Sequence, residues 1–198
     1  MHSKSLLAFL LITMIILDHV NFVKPGWSWR RRRRRHCPPV PRLAGAGWAN
    51  YFDGVVNFEC PRGKSISKIQ SVYSCPHKDR AWTYKCKRNP ALKMHCDWFS
   101  ANEWDGAMSF QCPYNGFIAG VYSRHSNRAE DRLFKFKCCL GRRHRVYICH
   151  TSAHVNNHRS FMNFKVPNGY YLRGAISHHS NAQEDRMWRF VYCKIHRR

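Results

Sequence analysis

The sequence predicts an all-β, disulfide-rich single domain, in which three repeats of about 50 residues form a pseudo-threefold barrel or prism of about twelve short strands. Three observations lead to this fold class. A group of motifs returns three times along the chain, apolar and charged residues alternate within it, and ten cysteines are present. The 198 residues are enough for one globular domain and marginal for two.

The repeats are recognised by the dipeptide Asp-Arg, which precedes an aromatic segment in each unit. It occurs at Asp79-Arg80, Asp131-Arg132 and Asp185-Arg186, so the offsets between successive aspartates are 52 and 54 residues. A tryptophan followed by Asp-Gly opens the first two units, at Trp48 and Trp104. One such unit is too small to bury its own apolar face, so three in succession indicate a single architecture. The repeats span about residues 44–87, 96–139 and 149–193.

Each repeat is expected to contain about four short strands. In the second repeat Phe134, Phe136 and Cys138 alternate with Lys135 and Lys137. Apolar and charged side chains at alternating positions are typical of a strand with one buried face. Turns that contain glycine separate the strands, at residues 61–63, 114–116 and 167–169.

The recurring Asp-Arg dipeptide has two interpretations. It could form a binding site that is repeated three times. It could instead be structural, with the aspartate accepting backbone N–H groups of a turn and the arginine forming a partly buried ion pair. We favour the structural interpretation, because a turn requirement must recur wherever the fold recurs.

The repeats also constrain how the ten cysteines pair into five disulfides. Two cysteine positions of the first repeat recur in the second, and both are replaced in the third, by Val166 and Tyr192, as loss of a bonded pair would produce. A further position, at Cys139 and Cys193, has a partner-like cysteine at the start of the same repeat. Because neighbouring strand residues face opposite sides, Cys138 and Cys139 need different partners. The predicted bonds are Cys60–Cys86, Cys112–Cys138, Cys96–Cys139, Cys149–Cys193 and, by elimination, Cys37–Cys75.

The N-terminal region predicts secretion. An apolar stretch, Leu6 to Leu17, follows Lys4 and is too short to span a bilayer, as in a signal peptide. We assign residues 1–20 to a signal peptide with an open cleavage site, and an uncleaved anchor is the alternative. Residues 21–36 form a basic segment that contains Arg30 to Arg35 and could be a propeptide, and residues 37–198 form the domain.

The net charge of +23 predicts a polyanionic partner. Such a charge attracts nucleic acid, sulfated glycans and anionic membranes alike. Behind a signal peptide, nucleic acid is excluded as the physiological partner. The expected partners are therefore sulfated glycans, proteoglycans or other cell-surface glycans, with matrix proteins and anionic membranes as alternatives.

Two groups of residues are candidates for binding these partners. Arg142, Arg143 and Arg145 form a compact cluster in the connection between the second and third repeats, and arginine binds sulfate and carboxylate bidentately. Lys135 and Lys137 on the preceding strand complete the predicted polyanion site. Polar loops at matching repeat positions are equally well explained as solvated loops without a ligand. If they contact glycans, the candidate residues are His125, Asn127, His179 and Asn181.

The sequence predicts neither catalysis nor a cofactor or metal. It contains no nucleophile elbow, phosphate-binding glycine loop or HExxH motif. Glu130 and Glu184 each precede the Asp-Arg dipeptide, but neighbouring acids in a turn do not face each other across a substrate, and the arginine competes with a Ca²⁺ ion. His150, His154 and His158 would share a face only on a helix, so we interpret them as surface histidines.

The Asp-Arg-x-aromatic-x-aromatic strands, the paired cysteines and the Trp…Asp-Gly openings resemble the dermatopontin family over about residues 46–194. The pattern Asn-x-x-Glu-Asp-Arg at Asn127–Arg132 and Asn181–Arg186 is most similar to its invertebrate agglutinin, amebocyte aggregation and cytotoxin members. The resemblance implies an extracellular protein that binds proteoglycans or matrix partners. The basic composition departs from the acidic vertebrate members. Arg159 replaces the aspartate of the third opening motif, so we expect that turn to be remodelled.

These observations predict a secreted cell-adhesion, agglutinating or extracellular-matrix protein that binds glycosaminoglycan-like or other polyanionic cell-surface glycans. Three similar units on one body would provide multivalent contact, in which weak sites combine into firm attachment. The alternative is a secreted cationic cytotoxin or host-defence protein that acts on anionic membranes.

Overall fold

The computed structural model describes residue 43 and residues 47–92, 95–140 and 144–197. The predicted signal peptide and basic segment lie outside these residues, as do Cys37, Arg142 and Arg143. In the part of the chain that the structure describes, no helix is long and apolar enough to cross a membrane.

The described residues form strands and no helix, as the alternating pattern predicts. Phe134 and Phe136 are buried and Lys135 between them is exposed. The glycine-containing turns are also present, with Gly63 and Gly169 at φ values of 74° and 78°, a left-handed conformation that favours glycine. The eleven strands are β1 (Val56–Glu59), β2 (Lys64–Ser74), β3 (Asp79–Arg88), β4 (Cys96–Ser100), β5 (Met108–Gln111), β6 (Phe117–Ser126), β7 (Asp131–Cys139), β8 (His144–Thr151), β9 (Met162–Lys165), β10 (Tyr171–Ser180) and β11 (Asp185–Arg197).

The strands form three sheets, and each sheet combines a long hairpin with a short strand from another part of the chain. The first sheet has the order β1-β6-β7-β4, the second β5-β10-β11-β8 and the third β3-β2-β9. All of the pairings are antiparallel. β1, β5 and β9 are the short strands that pair with hairpins distant in sequence, namely β6, β10 and β2.

Of the two predicted architectures, the described strands do not support the barrel. They form three separate sheets, and the described strands number eleven where about twelve were predicted. Three strands of the first repeat are described, and residues 44–46, which correspond to the start of β4 in the second repeat, lie outside the described residues. Just after them, Ala49 donates one backbone hydrogen bond to Trp82, at 2.7 Å. In the other two repeats the corresponding strand is held by a disulfide, through Cys96 in β4 and Cys149 in β8.

The three hairpins converge on one buried aromatic cluster. Trp82, Phe134 and Trp188 each follow the Asp-Arg dipeptide by two residues, and they are at most 3% exposed. Their rings meet edge to face, with centroids 5.0–5.7 Å apart. This geometry suits the aromatic quadrupole, so the cluster joins the hairpins at the centre of the core.

Four of the five predicted disulfides are confirmed. They are Cys60–Cys86, Cys96–Cys139, Cys112–Cys138 and Cys149–Cys193. Cys75 is also disulfide-bonded, and its predicted partner, Cys37, lies outside the described residues. Cys138 and Cys139 bond to different partners, as their opposite orientations on β7 require.

We expect cysteines introduced at both Val166 and Tyr192 to form an additional disulfide. These positions are 26 residues apart, the separation of Cys60–Cys86 and of Cys112–Cys138. Val166 N–H also bonds to Ser67 in the manner of Cys60 to Ala119. Closing this loop lowers the conformational entropy of the unfolded chain and should raise the free energy of unfolding by about 3–4 kcal/mol. The packing that is lost with the tyrosine ring offsets part of this gain. Mass spectrometry should find the bond in the double variant and a free thiol in each single variant; a reduced double variant after oxidative refolding would contradict the alignment.

Candidate functional site

The three Asp-Arg dipeptides form a closed ring of buried ion pairs. Arg80 donates to Asp185, Arg132 to Asp79 and Arg186 to Asp131, each through two hydrogen bonds of 2.6–2.7 Å. The arginine side chains are 4% exposed and the aspartates 2%. Each arginine therefore pairs with the aspartate of a different hairpin, and the ring ties the three hairpins together.

The same aspartates hold three backbone turns. Asp79, Asp131 and Asp185 accept the N–H groups of residues 53, 105 and 159, at 2.6–2.9 Å. Those three residues have φ values of 57–62°, a conformation that a non-glycine residue adopts only when its surroundings fix it. The structural interpretation of the Asp-Arg dipeptide is confirmed. The third turn is not remodelled, because its backbone meets the same carboxylate whether the side chain is aspartate or Arg159.

A second layer of charge covers the ring. Lys78, Glu130 and Glu184 each immediately precede the Asp-Arg dipeptide, and all three have φ values of 47–49°. The Lys78 ammonium lies 3.2 Å from a carboxylate oxygen of Glu130 and 4.0 Å from one of Glu184. These pairs are partly solvent-exposed, so each contributes about 0–1 kcal/mol to the free energy of unfolding. They form the outer edge of the site.

Two histidines lie between these layers and face the exposed aspartates of the opening turns. His125 Nδ1 is 3.2 Å from Asp53 Oδ1 and 3.0 Å from Asn127 Oδ1. His179 repeats the arrangement with Asp105, at 3.3 Å, and with Asn181, at 3.0 Å. A carboxylate can only accept a hydrogen bond, so the imidazole tautomer with its proton on Nδ1 satisfies each of these contacts.

The third equivalent position has different chemistry. Tyr73 stands where the other two repeats have histidine, and Arg159 stands where they have aspartate. The Arg159 guanidinium carbon lies 5.9 Å from the centroid of the Tyr73 ring. Burial raises the pKa of Tyr73 to about 12, although the Arg159 charge acts to lower it. A neutral phenol and a cation thus replace an imidazole and a carboxylate.

The ring, the two histidines and the outer layer line a small pocket of about 30 Å³, large enough for one or two water molecules. Asp53, Asp79 and His125 could hold a metal ion by distance, as could Asp105, Asp131 and His179. Asp79 and Asp131 already accept two hydrogen bonds each from a guanidinium, and that neighbouring positive charge repels a cation. The chemistry of this donor set favours a structural role for the carboxylates.

The four candidate glycan contacts are placed in two different ways. The imidazoles of His125 and His179 are 1% exposed and are therefore not presented to solvent. Asn127 and Asn181, in contrast, are exposed. The histidines turn inward because each imidazole faces the aspartate of an opening turn, which local sequence does not reveal.

The predicted polyanion residues are distributed over two sheets. Lys135 is exposed on β7, whereas Lys137 forms an ion pair with Glu59 on β1. Arg145 is exposed, but it lies inside β8 opposite His196 rather than in a connection. Arg142 and Arg143 fall in the gap of the described residues just before β8. His150, which is exposed on β8, packs its ring against Tyr170 and Tyr192.

Comparison with known proteins identifies the family of this chain. A family model described as Dermatopontin matches residues 50–197. The chain belongs to the dermatopontin family. It is 37% identical over 152 residues to the hemagglutinin/amebocyte aggregation factor of Limulus polyphemus, covering 75% of this chain and 87% of the relative. It is 36% identical over 138 residues to a dermatopontin of Biomphalaria glabrata, covering 70% and 93%.

A third relative is named as a cytotoxin. Millepora cytotoxin-1 of Millepora dichotoma is 31% identical over 145 residues, which is 73% of this chain and 65% of the relative. The dermatopontin of Homo sapiens is 30% identical over 157 residues, covering 75% and 77%. No solved structure gives a significant match.

Proposed function

We propose that this dermatopontin-family protein is secreted and acts in cell adhesion, agglutination or matrix assembly by binding polyanionic glycans, without catalysing a reaction. The family membership and the aggregation factor among the relatives support this function. The predicted signal peptide and the disulfides support an extracellular location.

The observation that carries this proposal is the distribution of charge. Among the described residues, nearly all carboxylates lie next to a cation or a histidine. Their partners are the arginines of the buried ring, Lys78, Lys137 and the two histidines. Asp97 and Glu103 form no such pair. The chain has 34 lysines and arginines against 11 acidic residues, so positive charge greatly exceeds the carboxylates that could neutralise it. A surface of this kind attracts sulfated or carboxylated polymers.

We further propose that the three repeats form one pseudo-threefold unit of prism-like sheets. The recurring Asp–Arg pairs and the exchange of short strands among hairpins support this arrangement. Repeated units on one rigid body would let several weak contacts act together on one polymer or join two cells.

The first test is heparin affinity chromatography with a salt gradient. Replacing Arg142, Arg143 and Arg145 with serine should lower the salt concentration at which the protein elutes, because exposed ion contacts are screened over about 8 Å at physiological ionic strength. The thermal midpoint should change little, since surface charges contribute about 0–1 kcal/mol. A wild-type protein that fails to bind heparin would contradict the proposed function, whereas unaltered elution of the variant would exclude this cluster.

A second candidate function is cytotoxicity, which the similarity to Millepora cytotoxin-1 favours. In that case the positive surface would attract anionic membranes before lysis. Dye leakage from phosphatidylserine vesicles, compared with agglutination of intact cells by the same sample, separates the two functions. Leakage without agglutination would favour the cytotoxin, and agglutination that heparin inhibits would favour adhesion.

A further inference from the structure

The outer face of the third sheet carries three lysines side by side. Lys68 on β2 is in register with Lys85 on β3 and with Lys165 on β9. The next register positions, Ile69, Tyr84 and Phe164, are buried, so the lysines point away from the core. Adjacent strands lie about 4.8 Å apart, and the row therefore spans about 10 Å.

The row, which we call the lysine row (Lys68, Lys85 and Lys165), has no counter-charge. None of its members forms an ion pair with a described carboxylate. The one acidic residue on β2, β3 or β9 is Asp79, and it is buried in the ring with Arg132. Like charges directly opposite on neighbouring strands destabilise a sheet, so this arrangement costs stability.

The equivalent rows of the other two sheets avoid that cost. In the first sheet the row is Glu59, Gly120 and Lys137, and its two charges form an ion pair. In the second sheet the row is Gln111, Gly174 and Val191, with no charge at all. The central position is glycine in both, and a Cβ at Gly120 would lie 2.9 Å from the Phe58 carbonyl oxygen. The lysine row is thus specific to one sheet and is not required by the fold.

A fourth lysine extends the positive surface along β3. Lys87 lies two residues after Lys85, on the same face, and its ammonium is 4.8 Å from the centroid of the Tyr171 ring. Burial, and then the charge of Lys165, lower the pKa of Lys87. Lys87 is therefore close enough to Lys165 for their charges to repel each other, and no described carboxylate forms an ion pair with Lys87.

We propose that the lysine row, with Lys87 at its edge, is a binding site for the sulfate groups of a linear sulfated glycan. This inference rests on the proposed function and assigns its binding surface. A flat row of ammonium groups across three strands presents point charges along a line, which complements a polymer with regularly spaced sulfates. Bound sulfates would remove the repulsion that the free protein tolerates.

The surroundings of the row favour a sulfated polymer over a lipid bilayer. The exposed large apolar side chains in the described part of the chain are Tyr51, Val55, Trp98, Tyr114, Tyr147, Ile148 and Phe161. None of these lies on β2, β3 or β9. A membrane-binding face normally adds large apolar residues that enter the interface, and the described strands of this sheet expose none.

The test compares two triple variants that lose the same charge. The first, Lys68→Gln, Lys85→Gln and Lys165→Gln, removes the lysine row. The second, Arg124→Gln, Arg128→Gln and Arg189→Gln, removes three arginines from β6, the following turn and β11. The probe is a size-defined heparin oligosaccharide at fixed ionic strength, with chemically desulfated heparin as the control probe. We expect the row variant to bind about tenfold more weakly than wild type and the arginine variant to bind nearly as well as wild type.

A stability measurement distinguishes a binding site from an accidental cluster. Lys68→Glu places a carboxylate between Lys85 and Lys165, so it should raise the thermal midpoint while it weakens heparin binding. A site retained for its ligand should show these opposite effects. A lower midpoint would show that the row is not under repulsion and would overturn the inference.

The remaining outcomes are also decisive. If both triple variants bind heparin equally weakly, binding depends on net charge alone, and the lysine row is not a site. Binding to phosphatidylserine vesicles through the row, without binding to heparin, would assign it to a membrane. If wild type binds neither heparin nor cells, the proposed function itself fails. If wild type binds and the row variant is unchanged, only the assignment of the surface fails.

Discussion

Arg132→Ala should destabilise the protein by about 3–5 kcal/mol, because it leaves Asp79 charged, buried and without its partner. The Arg132 guanidinium makes two 2.6 Å hydrogen bonds to that carboxylate and a third to the Gly54 carbonyl oxygen, at 2.9 Å. The third bond also links the ring to the opening turn of the first repeat. Urea unfolding with the disulfides intact, monitored by tryptophan fluorescence, gives the free energy of unfolding.

The control for this variant is Arg124→Ala. Arg124 is exposed on β6, where its guanidinium lies 5.7 Å from the Trp104 ring centroid, and its loss should cost about 0.5 kcal/mol. An Arg132→Ala effect no larger than the control would show that the ring is not a stabilising contact. In addition, Asp79→Asn combined with Arg132→Ala should cost less than the sum of the single changes, since the two side chains interact directly.

Trp188→Ala should cost about 3–5 kcal/mol, because it removes a large buried ring and leaves a cavity. Trp188 is 2% exposed, and its ring centroid lies 5.0 Å from that of Phe134 and 5.4 Å from that of Trp82. Trp98 is 37% exposed and supplies the matched tryptophan, so Trp98→Ala should cost about 1 kcal/mol or less. Thermal unfolding of both variants checks the difference. Similar midpoints would contradict a central role for the aromatic cluster.

Local sequence patterns predicted those parts of the molecule that depend on single strands and on the repeat spacing. Alternation identified β7, in which Phe134 and Phe136 are buried. The paired replacement at Val166 and Tyr192 predicted which cysteines bond, because two residues lost together indicate one interaction. The same logic assigned the Asp-Arg dipeptide to structure, since a dipeptide that holds a turn must return with the turn.

Sequence could not predict which distant strands meet. The alternation in β2 does not reveal that β9, far along the chain, is its neighbour, and so the lysine row could not be recognised as a row. His125 gave no local sign that it faces Asp53, which belongs to a different repeat. For the same reason the sequence could not decide between a barrel and a prism, because closure depends on edge pairings that periodicity does not encode.

The exchange of short strands among the hairpins determines when each sheet can be completed during synthesis. The hairpin of β2 and β3 leaves the ribosome well before β9, and it gains its third strand only when residues 162–165 arrive. Until then the edge of β2 stays open, and such an edge invites pairing with other chains. Contacts so distant in sequence also make folding slow. The last repeat therefore closes the first, and a chain shortened from its C-terminus would keep exposed edges instead of folding as a smaller version of the protein.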